Sequence, residues 1–150
     1  MKIGLFILIG IVLGYIVKWM VNWLAIDNFI MSRKNFFLEA VGAIMVTWSA
    51  VNLGIEEAII FSIIALTLAG ISVIDFHTFE IPLIFIIIGV IASVAGIFLK
   101  VILLSSAFWG IFVGALIPMA IMLIMWGITK RQGMGYGDIQ LGIVLGAWLG

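Results

Sequence analysis

The chain has no cysteine, a single histidine and only two prolines in 150 residues. Without cysteine there are no disulfides, no thiolate nucleophile and no cysteine-based zinc site. Charge is scarce too. Seven basic and seven acidic residues make up 9% of the chain and cancel to a formal net charge of zero, whereas a soluble domain carries about 25% charged residues. No basic patch points to nucleic acid. With 66% of its residues apolar, the chain has too little polar surface for water. A bilayer is the solvent that this composition suits, and its length allows a single domain over residues 1–150 with room for five or six spans of about 20 residues.

Polar interruptions divide the sequence into apolar blocks. The first span covers residues 3–24, with Lys18 embedded in it, and reads as a retained span rather than a cleaved signal peptide. A short polar stretch follows, with Asp27, Asn28 and then Ser32-Arg33-Lys34-Asn35. The second span covers residues 36–51, and a turn with Asn52, Gly54, Glu56 and Glu57 leads into the third at 58–74. Asp75-Phe76-His77-Thr78-Phe79-Glu80 then reads as a polar interruption closed by Ile81-Pro82. The fourth span covers 83–99 and the fifth 103–128, the latter carrying Pro118, a residue that removes a helix hydrogen bond and favours a kink. A loop from Thr129 to Asp138 precedes a last apolar segment of 12 residues, 139–150. At 1.5 Å per residue that segment reaches about 18 Å, less than the roughly 30 Å of the hydrocarbon core. The expected fold is an all-α polytopic transmembrane bundle with five full spans and a truncated sixth, in a chain that continues beyond its last residue.

Charge sets the orientation. Arg33-Lys34 and Lys130-Arg131 are the paired basic loops, and four expected spans separate them, so they share a side. The positive-inside rule makes that side cytoplasmic. Asp75, two spans beyond Arg33, and Asp138, at the end of the Lys130-Arg131 loop, fall on the same side. Two aspartates distant in sequence are thus expected at one membrane–water boundary. Ionisable groups at the edge of a span are functional candidates, although aspartate also serves as an ordinary helix cap.

The surroundings of Asp138 sharpen the choice. It closes Gly133-Met134-Gly135-Tyr136-Gly137-Asp138. Three alternate glycines suit a loop better than a helix interior, because each costs about 1 kcal/mol there relative to alanine. Their backbone also allows close approach of another chain, so Gly135 and Gly137 are candidates for holding a substrate backbone beside the carboxylate. A phosphate-binding loop would need a Walker lysine and a preceding strand, and the sequence has neither here.

The run Gly135-Tyr136-Gly137-Asp138 is the GxGD signature of intramembrane aspartyl proteases. The longer stretch through Ile139-Gln140-Leu141 and Leu145-Gly146-Ala147-Trp148-Leu149-Gly150 resembles the prepilin peptidase, or type IV leader peptidase, family. Ile74-Asp75 followed seven residues later by Pro82 fits that family's other motif, and Phe36-Phe37-Leu38-Glu39-Ala40-Val41-Gly42 is similar to its second-span start. The resemblance covers most of the chain. It implies that Asp75 and Asp138 form a catalytic dyad sharing a proton. One would activate water and the other would donate to the scissile carbonyl and then to the leaving amine, with no metal and no cofactor for proteolysis. The implied substrate is a prepilin or pseudopilin with a short basic leader, cut after a leader glycine at the cytoplasmic face of the inner membrane. Lipid would be its other partner.

There are differences from the family. Gln140 stands where lysine is common, Leu83 where aspartate often follows the proline, and Lys18 where many members have asparagine. The cytoplasmic domain with two cysteine pairs, found in large members, is replaced by residues 27–35. The chain is therefore more similar to compact members, and S-adenosylmethionine would be required only if it also N-methylated the new pilin terminus.

Other residues have plainer readings. Glu80 is a candidate partner for a basic leader but also an ordinary interfacial charge. His77 could tune Asp75 or bind a metal but reads more simply as a polar loop residue. Lys18 could reach the interface or pair with a carboxylate, and Gly110 and Gly114, four apart, could bring helices close. Two further function classes fit the composition. A proton- or ion-coupled transporter would use the aspartates, but they fall at one face rather than the midplane, with no evident inverted repeat. A non-catalytic scaffold of a pilus or secretion machine would not need both motifs.

Overall fold

A computed structural model describes residues 2–24, 26–130 and 135–149. The described residues form six α-helices and one 3-10 turn: α1 (Lys2–Leu24), the 3-10 turn Ile26–Asn28, α2 (Phe37–Asn52), α3 (Ile55–Thr78), α4 (Leu83–Phe98), α5 (Leu104–Thr129) and α6 (Tyr136–Leu149). It divides into two compact units, Met1–Phe85 and Ile86–Gly150.

Helices α1, α3 and α5, with 23, 24 and 26 residues, are long and apolar enough to cross a membrane. At 1.5 Å per residue each reaches about 35 Å or more, against roughly 30 Å of hydrocarbon. The chain is thus a helical, multi-pass membrane protein. Three helices of that length stand among the described residues, and the other expected spans are shorter apolar helices. Helices α2 and α4 have 16 residues each, about 24 Å. The apolar runs around them continue past the helix ends, where Phe36 (φ −102°) and Lys100 (φ 58°) leave the helical backbone.

The first unit is built on close backbone approach. A Cβ at Gly10 would run into the carbonyl of Gly42, and one at Gly14 into the carbonyl of Leu38 and the Cα of Glu39. Only glycine lets α1 and α2 lie this near. Ser49 of α2 and Ser62 of α3 share a buried hydrogen bond of 2.9 Å. Each hydroxyl also lies within hydrogen-bond distance of a carbonyl of its own helix, Val46 and Ala58 respectively, so one of the two hydrogens is shared between the other serine and a carbonyl. Gly70 of α3 makes room for Phe85, one of the most deeply buried side chains, and for Val17.

The second unit repeats the device. Cβ atoms at Gly114 and Gly146 would strike the carbonyls of Gly142 and Gly110. The i, i+4 pair Gly110/Gly114 on α5 therefore lies against Gly142/Gly146 on α6, the close packing expected of the α5 pair. Pro118 sits inside α5 with its Cγ near Gly142. Val144 of α6 fills the space left at Gly89 of α4.

Candidate active site

Asp75 lies within α3, not in a polar interruption after it. The helix continues four residues beyond Ile74, because the polar side chains there fold back onto the backbone. His77 Nδ1 donates to the Val73 carbonyl at 2.8 Å, and Thr78 Oγ1 to the Ile74 carbonyl at 3.0 Å. Phe79 stops the helix in the left-handed conformation (φ 55°), its N–H reaching the Asp75 carbonyl at 2.9 Å. Pro82, three residues on, cannot continue a helical ladder. The Asp75 side chain is exposed and makes no hydrogen bond or ion pair among the described residues. It is a carboxylate committed to nothing in its own unit.

Asp138 also stands on a helix. Helix α6 begins at Tyr136, so Gly137 and Asp138 form its first turn rather than a loop. The turn is closed reciprocally. Gly135 N–H donates to Asp138 Oδ2 at 3.0 Å, and Asp138 N–H donates to the Gly135 carbonyl at 3.2 Å. The carboxylate thus satisfies a free N–H at a helix start, where negative charge is favoured, and Oδ1 is left without a hydrogen bond among the described residues. A Cβ at Gly135 would meet only ordinary contacts, and its φ lies outside the left-handed range. Among the described residues, nothing packed against it requires glycine there. Gly133 and Met134, the start of the motif, lie outside the described residues, as does Arg131.

Asp75 belongs to the first unit and Asp138 to the second. Glu80 follows α3 in irregular backbone and is exposed, with no polar partner among the described residues. His77 is a helical residue rather than a loop one. Its ring stacks on Phe29 of the segment between α1 and α2, with centroids 4.1 Å apart and planes 24° from parallel.

Of the two readings of Lys18, the structure takes the pairing with a carboxylate, and adds contacts that the sequence reading did not foresee. Lys18 of α1 pairs with Glu39 of α2 at 2.9 Å, with side chains 5% and 9% exposed. Its ammonium also donates to the carbonyls of Arg33 and Asn35 and lies 5.3 Å from the Phe36 ring centroid. Asn22, one turn further along α1, holds Met31 by both backbone groups: Met31 N–H to Oδ1 at 2.7 Å and Nδ2 to the Met31 carbonyl at 3.4 Å. Together these side chains fasten the segment 29–36 to α1. The signal was available: a lysine inside an apolar span demands a partner, and an antiparallel neighbour beginning with Glu39 supplies a carboxylate. Glu39 Oε2 is buried without a hydrogen-bond partner.

A 63-residue segment is 38% identical to a prepilin leader peptidase/N-methyltransferase of Stutzerimonas stutzeri, covering 42% of this chain and 21% of that protein. The chain therefore matches about a fifth of that relative's length. No solved structure matches. Residues 59–150, more than half of the chain and including both Asp75 and Asp138, fit the model of the type IV leader peptidase family, and on that match the chain belongs to this family.

Proposed function

We propose that the protein is an aspartic endopeptidase of the membrane that removes the short cytoplasmic leader from type IV prepilins or pseudopilins, with Asp75 and Asp138 as its catalytic pair. The observation that carries this reading is the family match over a segment whose two motif aspartates both keep a carboxylate oxygen free. One carboxylate takes a proton from water as its oxygen adds to the scissile carbonyl carbon. The other, protonated, donates to the carbonyl oxygen. Collapse of the tetrahedral adduct breaks the C–N bond, and the departing amine takes up a proton. Gly135 and Gly137 lie against the substrate backbone, and Glu80 faces the basic leader. Catalysis at the cytoplasmic face of the inner membrane belongs to this reading: it takes α2 to α5 as four crossings, which puts Arg33-Lys34, Asp75 and Asp138 on one side, the side that the positive-inside rule makes cytoplasmic. N-methylation, which the relative's name adds, is left outside this reading, since no described residue is assigned to S-adenosylmethionine.

The test is co-expression with a prepilin encoded alongside it, comparing wild type with Asp75→Asn and Asp138→Asn at matched membrane levels. Shortening of the prepilin by wild type and by neither variant is the expected result. Cleavage by either variant at the wild-type rate would remove that residue from the mechanism.

A further inference from the structure

The first unit holds an open cavity of about 430 Å³ between the end of α3 and the segment joining α1 to α2. One wall is the last turns of α3, with Ser72, Val73, Phe76 and His77. The opposite wall comes from Phe29, Met31 and Phe37, with Asn35 at its edge. The lining is mostly apolar, yet it lies at the polar end of a membrane-crossing helix. Asp75 does not line it. Ser72 lies three residues before Asp75 and Phe76 directly after it. At 100° per residue these two are the lining positions nearest Asp75 on the helix surface.

The cavity is built, not incidental. Its outer wall is irregular backbone that would otherwise be free to move, and it is fixed from three directions. Asn22 grips Met31 by both backbone groups. Lys18 grips the carbonyls of Arg33 and Asn35. The Phe29 ring lies on His77, whose own orientation is set by its bond to the Val73 carbonyl. Two polar side chains of α1 are thus engaged in holding an apolar wall in place beside the end of α3. A preformed apolar concavity with a few polar groups at its edge is how proteins seat an apolar group of a ligand.

We infer that this cavity is a substrate subsite that receives a large apolar side chain from the segment just after the scissile bond. The inference rests on the peptidase reading of Asp75. Its occupant follows from two features. The lining would reject the charged side chains of a basic leader, so the residues it suits are those on the apolar side of the cut. And the cavity is within one helical turn of the carboxylate, so only residues adjacent to the reacting bond reach it.

The experiment is a ratio. Two prepilins are cleaved in membranes, one natural and one with the large apolar residues among the first three after the cut changed to alanine. Wild type and Ser72→Phe, which fills the cavity beside an unaltered Asp75, are compared, with Ser72→Leu as a milder step. The ratio of kcat/KM for the natural over the alanine substrate cancels the amount of active enzyme, so partial misfolding does not imitate the effect. We expect that ratio to fall at least tenfold in Ser72→Phe, mainly through KM, and by less in Ser72→Leu. An unchanged ratio would overturn the subsite while leaving the peptidase reading intact, as it would if a lipid chain fills the cavity. Failure of wild type to cut either substrate, or undiminished cutting by Asp75→Asn, would instead remove the peptidase reading and the subsite with it.

Discussion

Lys18 and Glu39, 21 residues apart in the chain, meet as a buried ion pair at 2.9 Å. Removing one member leaves an uncompensated charge, at a cost of about 3–5 kcal/mol, whereas replacing both with apolar residues of similar size is often neutral or better. Glu39→Ala and Lys18→Ala are therefore expected to lose most of their folded fraction in detergent. Lys18→Met combined with Glu39→Leu is expected to unfold thermally close to wild type. A double variant as unstable as either single one would show that the hydrogen bonds of Lys18 to Arg33 and Asn35, rather than the pair, dominate.

The two motif aspartates differ in what they do for the fold. The Asp75 carboxylate bonds nothing in its own unit, so Asp75→Asn is expected to keep wild-type stability while cleavage drops by about 100-fold or more. Asp138 accepts from Gly135 N–H, and asparagine retains an oxygen for that bond. Asp138→Asn should match wild type in thermal stability, and Asp138→Ala should lose about 1 kcal/mol, with both inactive. Stability and cleavage measured on the same preparations separate the two effects.

Gly114 and Gly142 tolerate no side chain without displacement of a backbone carbonyl. Gly114→Leu or Gly142→Leu should separate α5 from α6 and cost roughly 1–3 kcal/mol or more. Gly127, on α5 with open space around it, is the control, and Gly127→Leu should leave the melting temperature within error. Because the protein has no cysteine of its own, pairs of introduced cysteines along this seam would report its closure directly.

The Ser49–Ser62 bond ties α2 to α3 where both are buried. Ser49→Ala and Ser62→Ala should each cost about 1 kcal/mol. The double variant should cost about 0.6 kcal/mol less than their sum, in line with side-chain hydrogen bonds between membrane helices. Strict additivity in denaturant titrations would mean that the two hydroxyls act only on their own helices.

Much of this architecture could be read from hydropathy, and the failures have physical causes. The run Asp75-Phe76-His77-Thr78 looks like a break because its side chains are polar. At a helix end such side chains bond the carbonyls four residues back, and the helix continues beneath them. The glycines before Asp138 suggested a loop up to the aspartate. Gly137 is instead taken into the first turn of α6, and the aspartate itself closes that turn. Helix length was not legible at α2 and α4, where apolar character continues past the last helical residue. Asp75 and Asp138 were found as motif residues, whereas the clamp on segment 29–36 was not. Hydropathy gives no register between neighbouring helices, and only the glycine-mediated approach of α1 to α2 sets Glu39 opposite Lys18. The bearing of the two aspartates on one another is carried by family resemblance alone.

The clamp also bears on how the protein is made. A lysine within an apolar helix costs about 2.5–3.5 kcal/mol at the helix centre and less towards its end, where Lys18 lies. Helix α1 emerges from the ribosome before its partner carboxylate on α2 exists. Until Glu39 has been synthesised Lys18 has no carboxylate to pair with, so the pairing of α1 with α2 completes the seating of that charge. The same contact that fastens the segment 29–36 thus ties the first two helices to one another as the chain is made.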